Sequence, residues 1–147
     1  YVQFDPFIKD SLYEESEIDF DKGFAVSGSD EEIAVVTMGV WAHNLKKANI
    51  PAKVIDCFAL PVCESAFCEE IAKCKKIVTI EDGVSYGGLG SLVLEILNDH
   101  NMTIPVKRMA LEFKDGYPEV FSDREAVFES EGLTMDRLMA ELKGGEV

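Results

Sequence analysis

The sequence lacks the long apolar runs that membrane-spanning helices need. No segment approaches roughly eighteen consecutive apolar residues, although 47% of the 147 residues are hydrophobic. The first residue is Tyr1, and no charged start followed by an apolar stretch indicates a secretory signal. This length and apolar content predict one domain with a full core. We expect either a piece of a longer protein or a chain without its true start.

Basic residues are also scarce. The chain has 14 Lys and Arg against 28 Asp and Glu, for a net charge of −14. Such a surface repels phosphate backbones and anionic lipid, and no basic stripe offsets that repulsion. We therefore expect neither nucleic acid nor a membrane as a partner.

No Cys-x-x-Cys pair is present among the four cysteines, Cys57, Cys63, Cys68 and Cys74. Their spacings of six, five and six do not match those of structural zinc or iron–sulfur sites. We predict free thiols that are buried as small apolar groups, and no metal ligands. Free thiols without a secretory signal favour a reducing, cytoplasmic location.

The common catalytic motifs are missing: Gly-x-Ser-x-Gly, His-Glu-x-x-His and the Walker loop. His43 has no Ser, Cys or acid at helical spacing that could act with it as a general base, so it is expected at the surface or in an interface. His100 is expected in a solvated loop. Glu81 and Asp82 resemble an acid–base pair, but neighbouring residues of a strand point to opposite faces. We predict no catalytic residue in this chain.

The most informative stretch runs from residue 76 to 96. The apolar run Ile77–Ile80 meets two carboxylates and then a glycine-rich turn. Beyond the turn the apolar residues recur at helical spacing. They are Leu92, Val93, Ile96 and Leu97. The pattern predicts a strand, a glycine turn and a helix.

Two interpretations of this turn stay open. Its glycines permit close packing and positive φ, which suits a tight structural turn. The unpaired N–H groups at a helix start also suit a phosphate or a carboxylate, which predicts an anion site at Gly87, Gly88, Gly90 and Ser91. The nearby Glu81 could occupy the same groups as easily as a ligand. The pattern Gly-Gly-x-Gly differs from the dinucleotide-binding Gly-x-Gly-x-x-Gly, so no cofactor-binding residue is predicted.

Strand and helix patterns alternate along the rest of the chain. Strands are predicted at 33–38, 52–58, 76–80 and 106–111, and a helix at 64–75. A capping box, Ser122 with Glu125, begins a further helix that Gly132 ends, and Thr134 begins another, with Leu133 and Leu138 as a hydrophobic staple. The order predicts a three-layer α/β/α sandwich with a mostly parallel, Rossmann-like sheet.

Ligands of such folds bind beyond the carboxyl ends of the strands. Here these ends carry Asp56, Glu81 and Asp82, which predicts an acidic rim, and Lys107 or Arg108 could pair with it.

Residues 1–22 are predicted to be an N-terminal arm or interdomain linker, and residues 23–147 the domain itself. The arm opens with aromatic residues, and Phe4 and Phe7 would be costly to leave in water. We expect them to pack on this domain or on a preceding one.

Several segments in the same order resemble the C-terminal domain of transketolase-type, thiamine diphosphate-dependent enzymes. The resemblance runs from about Phe20 to Leu138. The segments that carry it are Asp21–Val26, Glu32–Gly39, Val54–Asp56 with Leu60–Pro61, Ile80–Gly83 with Gly87–Ser91, Pro105–Arg108, and Ser122–Glu125 with Gly132–Thr134. Two departures are evident. The helix between Gly39 and Ile50 is about two turns shorter than in the family, and the segment 113–120 lacks a family histidine.

The resemblance implies a parent enzyme that makes and breaks carbon–carbon bonds next to a carbonyl. Transketolases move a two-carbon ketol unit between sugar phosphates, and deoxyxylulose-phosphate synthases run a related reaction. In this family thiamine diphosphate and Mg²⁺ bind other domains, so this domain is expected to bind no cofactor. Its implied role is domain packing and homodimer assembly within the parent, and alone it is expected to be inactive. The alternatives are an effector-binding regulatory module and a docking domain of a 2-oxoacid dehydrogenase beta chain.

Overall fold

The structure is a computed structural model, and it describes residues 11–28, 32–113, 116 and 123–144. These residues include five strands: β1 (Ala25–Ser27), β2 (Ile33–Thr37), β3 (Lys53–Asp56), β4 (Lys76–Val84) and β5 (Val106–Leu111). They also include five α-helices: α1 (Val40–Ala48), α2 (Glu64–Ile71), α3 (Leu89–Asp99), α4 (Arg124–Ser130) and α5 (Met135–Leu142). A short 3-10 turn lies at Glu15–Glu17.

The strands form one sheet in the order β1-β3-β2-β4-β5. The pairs β3–β2, β2–β4 and β4–β5 are parallel, and β1 pairs antiparallel with β3 at one edge. The prediction of a mostly parallel α/β sheet with helices on both faces is therefore confirmed.

Each face of the sheet has its own apolar core. One core joins the sheet to α2 and α3 through fully buried residues such as Phe67, Ile71 and Val93. The other joins it to α1, α4 and α5 through residues such as Trp41 and Leu138. Strand residues alternate between the cores, as the pleat requires.

The connections between strands create a crevice. The chain leaves β2 through α1 to reach β3 on one side, and it then returns across the sheet through α2 to reach β4 on the other side. The direction of winding therefore changes between β2 and β4. Neighbouring carboxyl ends diverge at such a switch point, which is where open α/β sheets bind ligands.

The structure corrects several predicted boundaries. The strand predicted to end at Ile80 continues to Val84, because Val84 pairs with Leu111 of β5 beyond an irregularity in register. The helix predicted at 64–75 ends at Ile71. The edge strand β1 was not predicted, since three residues carry no readable period.

The predicted caps are confirmed in part. Thr134 accepts a hydrogen bond from the backbone N–H of Arg137 and begins α5, and Gly132 takes positive φ after α4. The cap of α4 is Asp123, which accepts from the N–H of Ala126. The predicted capping residue, Ser122, lies outside the described residues, as do Phe4 and Phe7.

The short first helix is continuous in the structure. It has nine residues and ends at Ala48, and Asn49 after it adopts the left-handed conformation before the chain enters β3. The described helices include none that is long and apolar enough to cross a lipid bilayer.

Candidate functional site

A cleft with a volume of about 650 Å³ lies at the switch point. Its walls come from the end of β2, the end of β4, the start of α3 and the loop that follows β3. Five apolar residues line it: Met38, Leu60, Pro61, Leu89 and Leu92. Three carboxylates line it as well: Glu81, Asp82 and Glu95. Of the three carboxylates predicted for the acidic rim, Glu81 and Asp82 line the cleft, whereas Asp56 is not among its lining residues.

The Glu81 carboxylate accepts hydrogen bonds from the backbone at the start of α3. The side chain is 3% exposed. The backbone N–H of Leu89 donates to Oε2 at 2.8 Å and that of Gly90 donates to Oε1 at 2.9 Å. A helix start carries partial positive charge and unpaired N–H groups, so the buried carboxylate and the helix start stabilise each other.

This arrangement requires two glycines. A Cβ on Gly88 would overlap the Glu81 carboxylate and lie 2.7 Å from the carbonyl oxygen of Val84. A Cβ on Gly90 would lie 2.7 Å from Cδ of Arg108 and 2.8 Å from Oγ1 of Thr79. Real Cβ atoms do not tolerate such distances, so the glycines are here for close approach of the helix to β4 and β5.

Arg108 holds the turn from the other side. Its Nη1 donates to the carbonyl oxygen of Ser85 at 3.0 Å and lies 3.4 Å from Oγ of Ser91. Ser91 Oγ also accepts from the N–H of Gly87 at 3.1 Å. Lys107 pairs with Glu141 of α5 at 3.3 Å. The two basic residues of β5 thus have partners other than the acidic rim.

The predicted anion site at Gly87, Gly88, Gly90 and Ser91 stays a prediction. Its residues do converge at the start of α3, and three of them line the cleft, namely Gly87, Gly88 and Ser91. The two N–H groups that point inward already donate to Glu81, the occupant that the sequence offered as an alternative to a ligand.

The two histidines lie far apart in the fold. His43 is only 9% exposed, so the prediction that it lies at the surface is wrong. The alternative, a place in an interface, stays a prediction. The Nδ1 of His43 and the Nε1 of Trp41 are buried without a hydrogen-bond partner among the described residues. His100 follows the last residue of α3 and is exposed, with Nε2 2.9 Å from Oε2 of Glu64. The structure brings neither to the cleft.

A second polar cluster, which the sequence did not reveal, lies at the carboxyl end of β3. The Tyr13 hydroxyl donates to Oδ2 of Asp56 at 2.9 Å, and the Lys46 ammonium lies 4.6 Å from the centre of the Tyr13 ring. Burial raises the pKa of Asp56 to about 6, against the lowering effects of Tyr13 and Lys46. Burial and the Asp56 charge raise the pKa of Tyr13 as well. The cluster ties residues 11–13 to the sheet.

The cysteines are only partly as predicted. All four are free, but Cys57 and Cys74 are buried while Cys63 and Cys68 are partly exposed. Cys68, in α2, is partly buried and packs against the first core, and Cys63 precedes the helix. Among the described residues, no three His, Cys, Asp or Glu side chains are placed to hold a metal ion.

Known proteins resemble this chain in sequence. The family model for the transketolase C-terminal domain matches residues 27–135. The 1-deoxy-D-xylulose-5-phosphate synthase of Caldanaerobacter subterraneus subsp. tengcongensis is 35% identical over 114 residues, which are 70% of this chain and 17% of the synthase. An apulose-4-phosphate transketolase component from Actinobacillus succinogenes is 27% identical over 116 residues, which are 74% of this chain and 37% of that component.

A solved structure agrees with these sequence matches. A split-gene transketolase, described as an inactive β4 tetramer, superposes with a TM-score of 0.70 at 26% identity, over 91% of this chain and 45% of its own. This chain spans less than a fifth of the synthase and less than half of the split-gene chain. With a match over most of its length and the sheet and helices described above, the chain belongs to the transketolase C-terminal domain family.

Proposed function

We propose that this chain is the C-terminal domain of a thiamine diphosphate-dependent, transketolase-type enzyme, and that its role is to pack against the other domains of that enzyme and support its homodimer. The single observation that carries the proposal is the family match over residues 27–135. The share of its relatives that the chain spans supports the same conclusion, because most of each relative lies outside the matched region.

The residues of the cleft do not fit the cofactor itself. Thiamine diphosphate carries a negatively charged diphosphate, and the groups that could bind it at the start of α3 already donate to Glu81. The neighbouring Asp82 and Glu95 would repel a second anion. In the proposed enzyme the cofactor and its Mg²⁺ therefore belong to other domains, and no chemical step is assigned to a residue of this chain.

What the chain contributes is a rigid unit. The central strands β2 and β4 are buried between two cores, and Glu81 fixes the first turn of α3 against the sheet. A surface that must position neighbouring domains needs such a preorganised backbone. The parent would transfer a two-carbon ketol unit or run the related synthase reaction, in the cytoplasm.

The test compares three proteins made from the same gene region. They are the complete polypeptide encoded around residues 1–147, the same polypeptide without residues 23–147, and the isolated chain. Each is assayed with thiamine diphosphate, Mg²⁺, a ketose phosphate donor and an aldehyde acceptor, and its mass is measured by sedimentation.

We expect activity and a dimer from the complete polypeptide alone. An isolated chain that turned over the ketose phosphate would overturn the proposal. A dimeric, fully active polypeptide without residues 23–147 would overturn it too.

A further inference from the structure

We infer that the switch-point cleft is a docking groove for an apolar polypeptide segment that carries Lys or Arg side chains. Three independent properties of the cleft lead to this inference: its place in the topology, its apolar lining and its charge. The occupant is a partner segment, and the groove is not a nucleotide or phosphate pocket.

The first property is position. The cleft opens between the carboxyl ends of β2 and β4, where the winding of the sheet reverses. Backbone geometry makes this the ready-made binding crevice of an open α/β sheet. Its volume of about 650 Å³ lies within the usual range of ligand pockets, roughly 300–1,000 Å³.

The second property is the apolar surface that the cleft and its margin leave uncovered. Leu60, in the cleft wall, is 38% exposed. Val84 and Tyr86 belong to the segment that joins the cleft residues Gly83 and Gly87, and they are 41% and 84% exposed. Exposed apolar and aromatic residues around one groove are typical of protein–protein interfaces. Exposed apolar side chains thus occur in the cleft wall and in the chain segment between two of its lining residues, which suits a polypeptide segment better than a compact small molecule.

The third property is charge. The described residues that line the cleft include Glu81, Asp82 and Glu95 but no Lys, Arg or His. Because Glu81 occupies the helix start, the groove presents no free N–H pair to an anion. The Glu81 carboxylate is buried and paired, so the acidic side chains that an occupant would meet are Asp82 and Glu95. They favour a cationic occupant, and charge complementarity of this kind sets partner choice.

The charge of the groove argues against a second copy of this chain as its occupant. Each copy carries 28 Asp and Glu against 14 Lys and Arg, so the surface of a second copy would on average present like charge to the carboxylates that line the cleft. A segment that carries Lys or Arg is attracted by the same carboxylates.

The experiment begins with selection of random dodecapeptides, displayed on phage, against the full 147-residue chain. We expect the enriched peptides to combine apolar residues with Lys or Arg. Two of them are then synthesised and titrated into ¹⁵N-labelled chain at physiological salt. Their amide shift changes are expected at the cleft, at Gly83, Gly87 and Ser91.

Two charge-matched variants decide whether the groove is the site. Glu95→Lys changes a residue that lines the cleft. Glu129→Lys makes the same change at an exposed position of α4. Removing an attraction and adding a repulsion should weaken binding about tenfold in Glu95→Lys, and less than about twofold in Glu129→Lys. Both residues are exposed, so both variants should fold, and the same spectra check this. If Glu95→Lys does not fold, Glu95→Gln replaces it.

Four results would overturn the inference. They are a selection with no enrichment, enriched peptides without basic residues, equal weakening by the two variants, and shift changes confined to surfaces away from the cleft.

Discussion

Glu81 determines what the start of α3 can bind. A glycine-rich turn before a helix predicts an anion site from sequence, and the structure supplies an anion from within the chain. Both a bound ligand and Glu81 were possible occupants from the sequence, because Glu81 lies just before the glycine-rich turn. The sequence alone could not decide between them. The outcome depends on whether the Glu81 carboxylate reaches the N–H groups of Leu89 and Gly90, which lie eight and nine residues further along the chain.

The first prediction concerns Gly88, whose backbone is ordinary, with φ of −85°. Gly88→Ala should lower the free energy of unfolding by about 2–3 kcal/mol, because its Cβ would displace the Glu81 carboxylate from the helix start. The matched control is Gly83→Ala, whose Cβ would lie 3.4 Å from Glu81 Oε2, and its expected loss is below about 1 kcal/mol. Urea unfolding measures both. Equal losses would show that steric overlap with Glu81 is not the cause.

The second prediction concerns Asp56, whose pKa burial raises from 3.8 to about 6. A carboxyl that binds its proton more tightly when folded stabilises the fold below pH 3.8, and that stabilisation is lost as pH rises through about 6. The wild-type free energy of unfolding should therefore fall by roughly 1 kcal/mol between about pH 5 and about pH 7.5 from this group alone.

The comparison with Asp56→Asn isolates this contribution. The amide is neutral throughout and can still accept from Tyr13, so its difference from wild type should grow with pH in favour of the variant. Asp21→Asn makes the same change at an exposed position and serves as the matched control. A difference between wild type and Asp56→Asn that stayed constant over this pH range would contradict the prediction.

At the scale of elements, sequence patterns predicted what depends on neighbours along the chain. The spacing of Leu92, Val93, Ile96 and Leu97 predicted α3, in which the last three are buried. A continuous apolar run predicted β2 to within a residue, and the strand predicted after Pro105 has the bounds of β5. These patterns work because helices and buried strands need apolar residues at fixed periods.

The features that the sequence missed depend on distant partners. The extension of β4 through Gly83 needs Leu111 as a partner, and β1 exists because it pairs with β3. The Tyr13–Asp56 hydrogen bond joins residues 43 positions apart. No local period records such pairs, since tertiary contacts override local propensity.

The third prediction concerns α5, which is held by its cap and by Leu138 in the second core. Thr134→Ala removes the acceptor of the Arg137 N–H, at 3.2 Å, and should lower the free energy of unfolding by about 1 kcal/mol. Thr134→Ser keeps the hydroxyl and should stay within about 0.5 kcal/mol of wild type. Thermal unfolding measures the pair, with an expected shift of about 4 °C for alanine. A serine variant as unstable as the alanine variant would refute the cap as the cause.

At the scale of the whole molecule, stability should decrease from the centre of the sheet to its edge. Strands β2 and β4 pair on both sides and are buried by a core on each face. Strand β1 has three residues and pairs only with β3 in the described sheet. Edge segments with few buried contacts open locally, while central strands open only with the whole domain.

Native-state hydrogen exchange tests this fourth prediction directly. The amides of Val35, Val36 and Val78 should exchange with an opening free energy equal to that of global unfolding. This opening free energy should fall with added urea as steeply as the free energy of global unfolding does. The amide of Val26 should open at least about 2 kcal/mol more easily and show little urea dependence, because its opening exposes little surface. Ile55 of β3, next to the edge, should lie between them. Equal protection of Val26 and Val78 would mean that the edge strand unfolds only with the cores, so that the domain behaves as one cooperative unit up to its edge.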